Sequence, residues 1–271
     1  MKCLEHRANL SSHGSAGFSL VELMVAMVIS LLLGTAAVSV FLSNKRIYTA
    51  TEGLGRIQES ARIAFELMSR DIRGAGGNPC DVRMDLVNVV NDGSWWASYD
   101  AGIFGFDGDH EDSIEGADAI RIQYFEDTGV ITSGGMAGSS GALPLSDTSV
   151  FQSGQILMAC GFFPVSVTEP VPDTAAIFSA GLAAGAITHA IANGNKSEDF
   201  SSIVQPTPVS FPMGSSLGIM RAMEWYVAPN DDGGSSLYRA QLLYTNTGRA
   251  WGEPEEIVPD VTDLQIAYLE N

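Results

Sequence analysis

The chain predicts an α+β fold, with one long N-terminal helix, transmembrane over its first half, packed on an antiparallel β-sheet with long loops. Three observations carry this. Residues 23–42 are apolar and uncharged over twenty positions, the length that spans a bilayer. Apolar residues then recur at three-to-four spacing as far as Ile72. Beyond Pro79 that period gives way to short alternating runs between glycines, serines and aspartates.

The elements follow in order. Residues 1–17 are a polar leader in which Lys2, Arg7, His6 and His13 face a single acid, Glu5. The positive-inside tendency keeps this segment cytoplasmic and sends the C-terminal part outward. A secretory signal carries its small-residue cleavage site after the apolar core. Here the small residues Ser15, Ala16 and Gly17 come before it, so the apolar segment is expected to be retained. Residues 18–42 form the transmembrane half of the helix. Its one acid, Glu22, costs about 2.5–3.5 kcal/mol on insertion scales, a cost some partner must offset.

Residues 43–73 continue as an amphipathic half outside the membrane. Ile47, Leu54, Ile57, Ala61, Ala64, Phe65, Met68 and Ile72 make one apolar stripe for a sheet, with Arg56, Glu59, Arg62, Glu66 and Arg70 on the other faces. Gly53 and Gly55 weaken the helix and mark a place for a bend. The run Gly74-Ala75-Gly76-Gly77-Asn78-Pro79 ends it.

Residues 74–271 form the β-rich globular domain. Strands are expected at 119–125, 155–160, 165–168, 220–227, 237–244 and 264–269, with the clearest alternation in the first and last. The run 175–192 reads as helix or strand, and Gly181 and Gly185 argue against a stable helix. Long loops are expected at 132–147 and 230–236.

Charge is uneven. The net charge is −18, yet residues 43–73 carry six basic and four acidic side chains, whereas 74–271 carry six basic and twenty-six acidic. So acidic a domain repels nucleic acid and anionic headgroups. Cys80 and Cys160 lie beyond the membrane segment and Cys3 before it. If the domain is exported, Cys80 and Cys160 share an oxidising space and would pair; two buried free thiols are the alternative.

No catalytic constellation is found. His110 and His189 fit no metal spacing. Asp107, Asp109, Glu111 and Asp112 around His110 read as a solvated turn rather than a calcium loop, as does Asp231-Asp232-Gly233-Gly234. Gly138-Ser139-Ser140-Gly141 is not a nucleophile elbow. Trp95, Trp96, Trp225 and Trp251 read as core or turn packing, with a ligand platform as the alternative. The chain is expected to be no enzyme, with no cofactor and no metal.

The string Gly17-Phe18-Ser19-Leu20-Val21-Glu22-Leu23 and its apolar sequel resemble the processing motif of type IV prepilins and pseudopilins. That resemblance implies a pilin-like fold, cleavage by prepilin peptidase between Gly17 and Phe18, and N-methylation of Phe18. Glu22 would then sit one turn from the new cationic terminus and direct assembly, neutralised by a neighbouring subunit's terminal ammonium. Arg70–Gly76 with Cys80, Gln155–Cys160, Ser236–Arg239 and Val261–Tyr268 resemble stretches of PilW-type minor pilins. That narrower resemblance implies a minor pilin of type IV pilus assembly, anchored in the bacterial inner membrane by a single pass with its C-terminal domain periplasmic. Its implied partners are other minor pilins, the major pilin, the prepilin peptidase and the inner-membrane assembly platform. A type II secretion pseudopilin shares the leader and anchor. A membrane-tethered adhesin or binding module is the alternative of another class.

Overall fold

The computed structural model describes residues 17–80, 85–99, 101–161, 174–200, 209–245 and 248–268. The leader up to residue 16 and the expected strand at 165–168 lie outside them. The chain divides into two compact units, Met1–Glu59 and Ser60–Asn271.

The first unit is helical from Leu20 onward. Helix α1 (Leu20–Gly74) begins here and is the one helix among the described residues long and apolar enough to cross a membrane. It runs unbroken through Gly34, Gly53 and Gly55. Polar residues inside the apolar stretch are satisfied within the helix. Ser30, Thr35 and Ser39 donate to the carbonyls of Ala26, Leu32 and Ala36, as a lipid environment requires.

The second unit takes the last turns of α1 and all the strands found among the described residues. The helix ends as expected. Gly76 adopts φ +70°, a left-handed conformation that glycine takes without penalty, and its N–H turns away to donate to Gln123 O. The first strands are β1 (Asp85–Asn88), β2 (Ile103–Phe106), β3 (Ala119–Ile131), β4 (Leu143–Pro144), β5 (Ile156–Gly161) and β6 (Thr174–Ser179). Then come β7 (Gly181–Ala183), β8 (Ala186–Thr188), β9 (Ser216–Pro229), β10 (Ser235–Thr245), β11 (Gly248–Trp251) and β12 (Glu255–Pro259). Strands β4, β7 and β8 form a small three-stranded sheet; the other nine form the main one.

Strand β9 organises the main sheet. Strand β3 pairs along one of its edges, antiparallel from Ile120–Trp225 to Asp127–Gly218. The opposite edge is shared end to end, with β5 opposite residues 216–219 and β10 opposite residues 223–229. The sheet therefore forks at β9: one branch continues through β5, β6 and β1, the other through β10 to β11 and β12. The sheet is not purely antiparallel as the sequence predicted, because β1 runs parallel to β6.

Other expectations need correction. The run 175–192 resolves into β6, β7, β8 and a 3-10 turn at Ile191–Asn193. Residues 264–268 form no strand, although their alternation suggested one. Their partner is not a strand edge: Asp118 donates its N–H to Leu264 O and accepts the Ile266 N–H on its carboxylate. The apolar stripe of α1 is also only partly used. Ala64, Leu67 and Met68 pack against the cluster of Ile120, Ile122, Met223, Trp225 and Val227. Phe65 is 70% exposed, and Ile47, Leu54 and Ile57 are exposed as well. The one fully buried residue of α1 is a charged one, Asp71.

Candidate functional site

The residues expected at the processing site lie at the start of α1. Gly17, Phe18 and Ser19 precede the first helical residue and are exposed, and nothing lies within 4 Å of where a Cβ on Gly17 would stand. A protease needs accessible backbone at its scissile bond. Glu22 is in the first turn, where a carboxylate gains from the free N–H groups of the helix end. It reaches back to accept the Ser19 N–H at Oε2, 3.1 Å away, while Ser19 O accepts from Leu23 N. Ser19-x-x-Glu22 is thus half of a capping box. That second role for Glu22 is written in the Ser-x-x-Glu spacing, beside the burial cost that the apolar run imposes on it. The carboxylate consequently sits beside the position where a new terminus at Phe18 would begin.

Asp71 marks the exit of the helix into the sheet. Trp225 Nε1–H donates to Asp71 Oδ2 at 3.1 Å, and Arg239 Nε donates to the same oxygen at 2.9 Å. The Arg239 guanidinium also lies 5.7 Å from the Trp225 ring centre. A buried carboxylate requires such compensation. The Arg70–Gly76 and Ser236–Arg239 stretches, noted separately in the sequence, meet at this point.

Cys80 and Cys160 form a disulfide. It ties the segment after α1 to β5, and Cys160 is fully buried among Ile156, Met158 and Met220.

The acidic turn around His110 is organised differently from its sequence reading. Asp107, Asp109, Glu111 and Asp112 are exposed, whereas His110 is buried between the rings of Phe106 and Tyr226. Its Nδ1 accepts the Asp112 N–H at 3.2 Å, which places the ring proton on Nε2, 2.7 Å from Glu224 Oε1. Arg121 Nε donates to that oxygen at 2.6 Å. Burial alone would raise the Glu224 pKa; hydrogen bonds from His110 and Arg121, with the guanidinium charge, outweigh it and hold the carboxyl below its ordinary value. Ligand atoms of His110, Asp112 and Glu224 lie within 4.8 Å of one another. However, Arg121 already supplies the cation to Glu224, so this donor set is better explained as an ion pair than as a metal centre. Sequence reasoning missed Glu224 because its partners lie 114 and 103 residues away.

His189 is buried as well. Nε2 lies 2.9 Å from Gly141 O, the ring stacks on Phe200 at 4.1 Å, and Nδ1 has no hydrogen-bond partner among the described residues. Trp225 is core; Trp95, Trp96 and Trp251 form one half-buried cluster, with Trp96 and Trp251 stacked at 5.0 Å.

Residues 12–38 match the model of the prokaryotic N-terminal methylation motif. No curated protein and no solved structure matches the chain. The motif indicates a type IV pilin-like or pseudopilin-like protein processed by prepilin peptidase, and with the apolar helix it indicates a membrane-anchored, pilus-associated one.

Proposed function

We propose that this chain is a minor pilin of the PilW type that takes part in type IV pilus assembly at the bacterial inner membrane. The single observation that supports this most is the methylation motif at the head of an apolar helix whose first turn carries Glu22. In this reading the leader is cut between Gly17 and Phe18, Phe18 is methylated, and the helix stays in the membrane until it enters a filament. The fold is pilin-like, with the acidic β-domain on the periplasmic side.

Two further features favour the pilus over the type II secretion pseudopilin that shares the leader. Both belong to stretches resembling PilW-type proteins: the disulfide closing an 80-residue separation, and the Asp71–Arg239 pair. The exposed apolar residues of α1, among them Phe41, Ile57 and Phe65, would pack on the helices of other pilins. Partners would be those pilins, the peptidase and the assembly platform. The chain is then a substrate of processing enzymes and performs no catalysis itself.

Deletion of the gene, with pilus counts and type II secretion measured in the same strain, tests the assignment. Loss of surface pili with secretion intact is expected. The reverse pattern would reassign the chain to the secretion system, and unchanged pili in the deletion strain, when the parent strain makes the processed chain, would refute an assembly role.

A further inference from the structure

A small cleft with chemically mixed walls lies on the sheet. Trp95, Ile103, Phe104, Arg121 and Gln123 are among its lining residues, and its volume is about 250 Å³. That is below the ~300–1,000 Å³ typical of sites for drug-sized ligands, so it suits a single ring.

Its polar groups are fixed in advance. Strand register sets Phe104, Arg121 and Glu224 side by side across β2, β3 and β9. Arg121 is held from behind by Glu224, and its Cζ lies 5.0 Å from the Trp95 ring centre and 4.7 Å from that of Phe106. Nε and Nη2 face Glu224, His110 and Glu111; Nη1 has no partner among the described residues. Gln123 is 7% exposed. Its Nε2 donates to Trp95 O, leaving Oε1 as an acceptor with no partner among the described residues. A forked donor and an amide oxygen thus line the same cleft. Phe104, 61% exposed, supplies an apolar ring face at its rim.

Charge decides the class of ligand. The Arg121 charge is matched by the buried Glu224 carboxylate at 2.6 Å. Asp107, Asp109 and Glu111 stand in the neighbouring turn and repel anions. A carboxylate or phosphate is therefore disfavoured, although a guanidinium is present. What remains is a ligand with hydroxyls for Nη1 and Oε1, an apolar C–H face for an aromatic ring, and no net charge.

We propose that this cleft binds one neutral pyranose ring of a glycan, its hydroxyls on Arg121 and Gln123 and its C–H face on Phe104. Such a site gives the domain a carbohydrate-binding activity that does not depend on the assembly role. Because the side chains are held before the ligand arrives, little ordering cost is added on binding.

The test uses the full-length chain in a detergent without a sugar headgroup. Methyl glycosides of glucose, galactose and mannose are titrated and followed by tryptophan fluorescence and saturation-transfer NMR, with glucuronate and inorganic phosphate as charged probes. Saturable binding of at least one neutral glycoside is expected, weaker for both charged probes. The variant Phe104→Ala, at an exposed position, should bind about tenfold more weakly with its thermal midpoint unchanged. Absence of saturation with all three glycosides at concentrations on the order of tens of millimolar would overturn the site. Tighter binding of glucuronate or phosphate would overturn its neutral character, and unchanged affinity in a folded Phe104→Ala would overturn its location.

Discussion

Asp71 on the last turns of α1 accepts the indole N–H of Trp225 at the centre of the sheet, across 154 residues of sequence. Arg239 completes the arrangement from β10, so one carboxylate oxygen joins the helix and two adjacent strands. A charged group is buried here because its geometry is fully used. Breaking a buried pair by removing one partner costs roughly 3–5 kcal/mol, since the other is left uncompensated. Asp71→Ala is therefore expected to lower the stability of the globular unit by about that amount. Asp71→Asn, which keeps an acceptor for Trp225 but not the charge for Arg239, should lose less. Urea unfolding of both variants measures the order; equal losses would mean that the charge of Asp71 contributes nothing beyond its hydrogen bond.

Most of the anchor was legible in the sequence because its signals are local. Length, hydropathy and the Gly17–Glu22 string act within a few turns. The middle of the sheet was legible for a similar reason, and β3, β9 and β10 extend the short runs read as strands at 119–125, 220–227 and 237–244. Edge elements were not. Strand β2, Ile-Phe-Gly-Phe, lacks alternation, and β12 opens with two exposed glutamates that blunt its edge. The 264–269 run misled because alternation reports two unlike faces, not a hydrogen-bonded neighbour. The backbone neighbour here is Asp118, with Gly116 O accepting from the Gln265 side chain, rather than a strand edge. Contacts such as Asp71–Trp225 and His110–Glu224 leave no trace in local pattern at all, since only the fold determines who meets whom.

The disulfide makes a separate prediction. Cys80 and Cys160 close a separation of 80 residues, for which the loop-entropy model gives about 4–5 kcal/mol. The double variant Cys80→Ala, Cys160→Ala is expected to be destabilised by up to that amount. Reducing agent should lower the melting temperature of the native chain and leave that of the variant unmoved. A native midpoint insensitive to full reduction would show that packing of Cys160 in the core, rather than the covalent link, holds this corner.

His189 sets a pH dependence. Burial holds its pKa below the ordinary 6.5, with the Gly141 contact and the charge of Glu198 opposing. For a histidine depressed in the folded state, the unfolded chain binds more protons as pH falls. Stability is thus complete above 6.5 and declines as pH drops toward the folded value. The melting temperature is expected to fall between pH 7 and pH 5, ahead of the loss of Glu224 ionisation, which needs more acid because that carboxyl is held low. His189→Phe keeps an aromatic ring against Phe200 and removes the titrating nitrogen. Its melting profile should be flatter over that interval; an unchanged slope would assign the acid sensitivity to other groups.

Glu22 has two separable tasks, and the choice of substitution distinguishes them. Its carboxylate accepts the Ser19 N–H, a job that a neutral amide also performs. It also carries the charge that the assembly reading requires opposite a neighbour's terminal ammonium. Glu22→Gln should therefore leave the helix start intact and Gly17–Phe18 cleavage near normal, while pilus incorporation falls severely. Glu22→Ala removes both functions. It should show the same assembly defect together with a loosened first turn, worth about 0.5–2 kcal/mol of capping. N-terminal mass analysis reads cleavage and methylation, amide exchange at Leu20–Leu23 reads the cap, and fractionation of sheared pili reads incorporation. If Glu22→Gln is incorporated as well as the native chain, the cap is the whole contribution of Glu22, and the ammonium partner has no role in selecting this subunit.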